Sequence, residues 1–156
     1  MGRRRNATKR ELNPDPKYNS ALVERVVNGV MKCGRKTTAQ RIVYGAMAEL
    51  AEQTGKDPIE VLDAAINNMK PKVEVKSRRV GGTTYQVPVE IRPARQLALA
   101  LRWMLQYAAG RHGAGMPKAV ALELIDAYNN QGNVIKKRDE THKMAQANRA
   151  FAHYAW

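Results

Sequence analysis

The stretch from Pro71 to Pro93 constrains this chain more than any other. Two alternating runs flank Gly81-Gly82 inside a sequence that otherwise carries helical patterning. Val73 and Val75 alternate with Lys72, Glu74 and Lys76, while Tyr85, Val87, Val89 and Ile91 alternate with Gln86, Pro88 and Glu90. A period of two marks a strand, and two such runs around paired glycines predict a β-hairpin. Residues directly opposite on antiparallel strands share a face, so parity bears on the register. A loop of Gly81 and Gly82 alone would set Val75 opposite Pro88 and Lys76 opposite Val87, mixing the faces. Adding Val80 or Thr83 to the loop groups Val73 and Val75 with Tyr85, Val87 and Val89, which favours a three-residue connection with a glycine at positive φ. The other face then carries Lys72, Lys76 and Arg78.

No second pair of strands extends this hairpin, and a lone two-stranded ribbon is marginal in water. Strands of roughly eight residues make an arm about 25 Å long, and such an arm needs a partner. It either folds back on its own helices or reaches outward. Arg78 and Arg79 beside two glycines favour an arm that reaches for phosphates, because glycine permits close backbone approach and arginine binds in two-pronged fashion.

The 156 residues suffice for one domain with a proper core, and 44% hydrophobic content predicts a globular body. The net charge of +13 is unevenly placed. Residues 1–10 carry five cations (Arg3, Arg4, Arg5, Lys9, Arg10) and no acid. Residues 70–95 carry seven cations against Glu74 and Glu90, and residues 133–156 carry five against Asp139 and Glu140. These three segments hold the whole excess, so the remainder is neutral. A neutral body with a basic tail, arm and C-terminal segment has the electrostatic footprint of a nucleic-acid binder. Anionic membrane is the competing partner. Against it, there is no apolar run of transmembrane length, no signal-peptide pattern and no aromatic-rich apolar face on a basic helix. The single Cys33 excludes an internal disulfide and a cysteine-based zinc site.

Residues 1–19, charged and interrupted by Pro14 and Pro16, read as a basic extended arm that orders on binding. From a cap at Asn19 or Ser20, Leu22, Val23, Val26, Val27, Val30 and Met31 recur at helical spacing until Gly34. Lys32, Arg35 and Lys36 then make a short basic turn that faces either solvent or phosphate. A second helix runs from about Thr37 to Gln53. A third opens at Asp57-Pro58 with Glu60 three after the cap and ends at Pro71. After the hairpin, Pro93 starts a fourth helix with Leu97, Leu101, Met104, Leu105 and Ala108 on one face and Arg92, Arg95 and Arg102 on other sides. A fifth follows the glycine-rich loop at 110–117 and reaches about Tyr128. Asn129 to Asn133 form a turn, and a basic sixth helix runs from about Lys136 or Lys137 to about Ala150, using Thr141, Met144, Ala145 and Asn148 inward. The expected fold is mainly α: a six-helix domain with a protruding two-stranded antiparallel β-ribbon between the third and fourth helices. Residues 20–150 form the domain, the ribbon arm spans 72–91, and 151–156 form an aromatic C-terminal tail. Phe151, Tyr154 and Trp156 there suit docking on RNA bases or another protein, or folding back on the core.

Catalytic constellations are missing from this pattern. His112, His142 and His153 have no metal-ligand spacing. Gly81-Gly82 is followed by Thr-Thr, so it is no phosphate-binding P-loop. Asp139, Glu140 and His142 read as a charged helix face, and Cys33 has no neighbouring histidine. Neither a cofactor, a metal nor a small-molecule substrate is expected.

Five stretches together closely resemble the bacterial branch of small-subunit ribosomal protein family seven: Met1 to Arg5; Pro14 to Ser20; Arg78 to Gly82 with Tyr85 to Pro88; Leu101 to Trp103; and Met144 to Tyr154. The resemblance covers nearly the whole chain and implies the same six helices with a protruding ribbon. It implies a non-enzymatic, cytoplasmic protein in the ribosome that binds the 3′ major domain of 16S ribosomal RNA, nucleates head assembly, and lies beside exit-site transfer RNA and the messenger path. It places RNA contacts on Arg3 to Arg5, on Lys32, Arg35 and Lys36, on Lys72, Lys76, Arg78 and Arg79, on Arg92, Arg95 and Arg102, and on Lys136, Lys137 and Arg138. The ribbon tip is the part nearest transfer RNA, and the tail meets the eleventh small-subunit protein among neighbouring head proteins. Arg35 stands where the family usually has lysine, which keeps the charge; Ala155 stands where an arginine commonly precedes the final tryptophan. A messenger-binding translational repressor, a generic basic nucleic-acid binder and an RNA-modifying enzyme are the rival functions.

Overall fold

The computed structural model describes residues 11–155. Among them are six α-helices: α1 (Ala21–Val30), α2 (Lys36–Thr54), α3 (Pro58–Met69), α4 (Pro93–Ala109), α5 (Met116–Tyr128) and α6 (Gly132–Ala147). Strands β1 (Val73–Val80) and β2 (Thr83–Glu90) stand between α3 and α4, and a short 3-10 helix, Arg149–Tyr154, follows α6. The architecture is the mainly helical one expected, with the ribbon in its expected place.

The caps explain the helix starts and stops. Ser20 accepts a hydrogen bond from the Val23 amide and Asp57 from that of Ile59, each filling one of the donors that a helix start leaves open. Gly55 ends α2 at φ +64, in the left-handed region. The apolar stripes then converge on α5, which packs against α2, α3, α4 and α6. Val27, Met47, Leu50, Ile66, Met104 and Leu124 are among the buried side chains of this core. Removing any one of the large ones would cost about 2–5 kcal/mol. Gly29 lets α1 approach α4, since a Cβ there would stand 3.1 Å from Leu105 Cδ1.

Three local expectations are corrected. First, α6 begins at Gly132, earlier than Lys136, and Val134 and Ile135 are buried against the core. Its first turn fits close to α5 because Gly132 has no side chain: a Cβ there would lie 2.9 Å from that of Asp126. Second, Met144, assigned to the inner face of α6, is 48% exposed, while Thr141 and Ala145 are buried.

The third correction is the ribbon's register. Val80 pairs with Thr83, Lys76 with Val87 and Val75 with Pro88, so the connection is Gly81 and Gly82 alone. Both glycines have positive φ, +57 and +91, which suits the two-residue turn whose twist matches that of paired strands. Parity of the apolar residues misled because the ribbon does not stand free. α6 and the 3-10 helix pack along it, and the covered face holds Val87 and the acidic residue Glu74, at 0% and 9% exposure. Glu74 tolerates that position because α4 supplies Arg95 to pair with it. Val73 and Val75, on the opposite face, are half-buried.

Of the segment expected as an extended arm, residues 1–10 lie outside the described residues. Asp15 is buried and accepts hydrogen bonds from the amides of Lys17 and Tyr18 and from the Tyr44 hydroxyl of α2 at 2.8 Å. This turn is thereby fixed to α2. Burial, with help from the Asp15 bond, pushes the Tyr44 phenol up to about 12.

Candidate nucleic-acid interface

The α1–α2 turn reverses the chain within a few residues because Cys33 and Gly34 take φ values of +52 and +73. The Arg35 amide donates to the Lys32 carbonyl at 3.1 Å and closes the turn. Lys32 and Arg35 are exposed and line one groove together. Lys36 behaves differently. Its ammonium lies 2.6 Å from the carboxylate of Glu24, which is 5% exposed, so it first neutralises a buried acid of α1.

The ribbon repeats this division. Arg79, beside the turn, is exposed. Arg78, on the covered face, donates from Nη1 to the Tyr154 carbonyl of the 3-10 helix. On the same face Tyr85 meets Phe151 and Tyr154, with ring centroids 5.2 Å apart in each case. The aromatic tail therefore folds back on the ribbon, through its 3-10 helix; Trp156 lies outside the described residues. At the ribbon base, Lys76 and Arg95 converge on Glu74 at 3.3 and 2.9 Å. The Arg95 bonds, aided by Lys76, hold the Glu74 carboxyl below the usual carboxylate range against the opposing effect of burial.

Where the ribbon leaves α3, the Lys72 amide donates to His142 Nε2 at 2.9 Å. Burial pushes the His142 imidazole below its ordinary value, and the charges of Arg138 and Lys72 add to this, opposed by Asp139. Arg138 bonds Asp139 and the Asn68 carbonyl, strapping α6 to α3. Lys137 lies 3.9 Å from Glu140, an exposed pair of little energetic consequence. Lys136, Arg92 and Arg102 are exposed.

The expected cations thus differ in how they are held. Lys32, Arg35, Lys72, Arg79, Arg92, Arg102 and Lys136 have no ion-pair partner among the described residues, whereas Lys36, Lys76, Arg95, Lys137 and Arg138 do, and Arg78 is held by the Tyr154 carbonyl. Arg3, Arg4, Arg5, Lys9 and Arg10 lie outside the described residues. Arg25 was passed over in the sequence. It is exposed on α1 and lines a shallow groove with Leu97 and Leu101 of α4. Its signal, an outward place in an amphipathic helix, is common to any solvated cation; only the α1–α4 approach at Gly29 puts it beside the arginine-bearing helix.

No group of three or more His, Cys, Asp or Glu side chains that could hold a metal occurs among the described residues, and no described helix is long and apolar enough to cross a membrane. What the surface offers is exposed cations borne on several packed elements, suited to a polyanion with several phosphates.

The family model described as ribosomal protein S7p/S5e matches residues 2–149. Proteins named small ribosomal subunit protein uS7 from Thermodesulfovibrio yellowstonii, Sorangium cellulosum and Dictyoglomus turgidum are 55%, 54% and 54% identical to this chain. In each case the match spans all 156 residues and the full length of the relative.

Proposed function

The chain belongs to the ribosomal protein S7p/S5e family, and on that premise we propose that it is a primary binder of the 3′ major domain of 16S ribosomal RNA, nucleating assembly of the small-subunit head. It is a bacterial-type ribosomal protein with a structural role and no catalytic one. The observation that carries the RNA reading is the division of the cations. The candidates tied to Glu24, Glu74 or Asn68 brace the fold, and those without acid partners among the described residues remain exposed on the α1–α2 turn, the ribbon tip, α4 and α6.

Phosphate contacts supply affinity by counterion release, each lowering log K by roughly 0.7–0.9 per decade of salt. Side chains cannot read the deep groove of A-form RNA, so selectivity comes from junction shape and unpaired bases. The exposed ribbon tip is the part that approaches exit-site transfer RNA and the messenger. The half-exposed faces of Phe151 and Tyr154 are those a neighbouring head protein such as the eleventh would meet. Arg3, Arg4, Arg5, Lys9 and Arg10 join the RNA-binding set on charge alone.

The test is binding of the full chain to a 16S head fragment, against duplex DNA of equal length, across a salt series. Preference for the RNA that persists at high salt supports this reading. Equal decay on both overturns it in favour of a generic polyanion binder, and tighter binding to messenger RNA than to the head fragment favours a translational repressor.

A further inference from the structure

The groove where the α1–α2 turn meets the end of α4 and the start of α5 has a chemistry that phosphate contacts alone do not require. Its walls are apolar, including Val30, Ile42 and Met116; Thr38 supplies a hydroxyl, and Lys32 and Arg35 stand as its only charged lining residues. Its volume, about 390 Å³, lies in the ~300–1,000 Å³ range of small-ligand pockets. Ile42 and Met116 remain half-exposed, so apolar surface is open to solvent directly beside two cations. No acid lines the groove, and neither cation has an ion-pair partner among the described residues. The turn closed by the Arg35 amide on the Lys32 carbonyl sets the backbone positions from which both cationic side chains extend.

We propose that this groove seats one unpaired nucleotide of the bound RNA, its base against Ile42 and Met116 and its flanking phosphates on Lys32 and Arg35. The proposal rests on the RNA-binding reading above and names what one part of that surface recognises. A double helix hides its bases, so only an extruded or single-stranded base reaches an apolar slot. A groove of this size takes one such residue. The two cations supply one positive charge for each of the phosphates on either side of it, and the Thr38 hydroxyl offers a single hydrogen-bonding group to a base edge. The α1–α2 turn is thus a base-recognising element with a phosphate clamp.

Two measurements on the full chain decide this. Titration with adenosine 5′-monophosphate, followed by methyl NMR, is expected to shift the Ile42 and Met116 signals saturably, whereas inorganic phosphate shifts only signals of the turn. Unmoved methyl signals, or equal shifts with phosphate, overturn the proposal. In the head-fragment assay Thr38→Phe fills the groove and keeps every charge. Roughly tenfold weaker binding is expected, in line with loss of one base contact, with the salt slope unchanged. Affinity within twofold of the unaltered chain overturns the proposal while leaving the ribosomal RNA reading in place. Ala109→Phe, which fills the same groove from the end of α4, replaces Thr38→Phe if the latter does not fold. If the unaltered chain shows no preference for the head fragment, the broader reading falls, and the mononucleotide titration still decides the groove.

Discussion

Glu74 of β1 and Arg95 of α4 form a two-pronged ion pair, with Nε at 2.9 and 3.0 Å from the two carboxylate oxygens and Nη2 at 2.9 Å from Oε2. This pair lets a carboxylate sit on the covered face of the ribbon, and so admits the register that the apolar pattern argued against.

Its signature is a pH dependence. Arg95 holds the Glu74 carboxyl below the usual range, so the folded state releases its proton more readily than the unfolded chain. That stability is complete above the unfolded carboxylate value, about 4.3, and is lost as pH falls through the lower folded value. Arg95→Gln is therefore expected to melt below the unaltered chain at pH 7, with the gap narrowing progressively as the pH falls below about 4.3. A gap of unchanged size throughout an acid titration would mean that the pair does not carry the effect.

His142 gives a second titration. Its imidazole is held below its ordinary value, about 6.5, chiefly by burial. The unfolded chain takes up the proton first, so this contribution is full above that value and declines as pH falls through the folded one. NMR titration should give a midpoint below that of a free imidazole. The Lys72 amide, which loses its acceptor on protonation of Nε2, should move with the same midpoint. A midpoint above the ordinary value contradicts this.

The two-residue turn has its own test. Gly81 and Gly82 both have positive φ, so Gly81→Ala and Gly82→Ala should each cost about 1–2 kcal/mol in urea unfolding. A three-residue connection would leave one of the two indifferent to substitution.

Tail docking predicts a local effect. Phe151→Ala with Tyr154→Ala removes both ring contacts to Tyr85, each worth about 0.5–1.5 kcal/mol. Hydrogen exchange of ribbon amides should accelerate while that of α2, α3 and α5 stays unchanged. Uniform acceleration would place the tail in the global core.

The division of the cations separates two lysine and arginine roles. Arg79→Ala should lower the salt slope for head-fragment RNA by roughly 0.7–0.9 and leave the fold intact. Lys36→Ala should do the reverse: little change in slope, but a loss of stability, because Glu24 keeps its buried carboxylate without the lysine. The same slope change for both would show that ion pairing in the free chain does not decide which cations meet RNA.

The helices were legible because their signals are local. Ser20 and Asp57 as caps and stripes such as Val23, Val26, Val27 and Val30 are set by neighbours within one or two turns. The existence and place of the ribbon were legible for the same reason. Its register was not, since it turns on Arg95, 21 residues beyond Glu74. The start of α6 was missed because Asn129 to Asn133 carry turn chemistry, and only the docking of Val134 and Ile135 against α5 and its neighbours carries the helix back to Gly132.

For the candidate interface, the sequence by itself determined which segments carry excess positive charge, because charge is a property of composition and needs no fold. The tertiary structure alone decided how those charges are used. It brought Glu24 to Lys36 across 12 residues, Asn68 to Arg138 across 70 and Tyr154 to Arg78 across 76. An ion pair or hydrogen bond acts only over a few ångströms, and which groups come that close is set by the packing of distant elements.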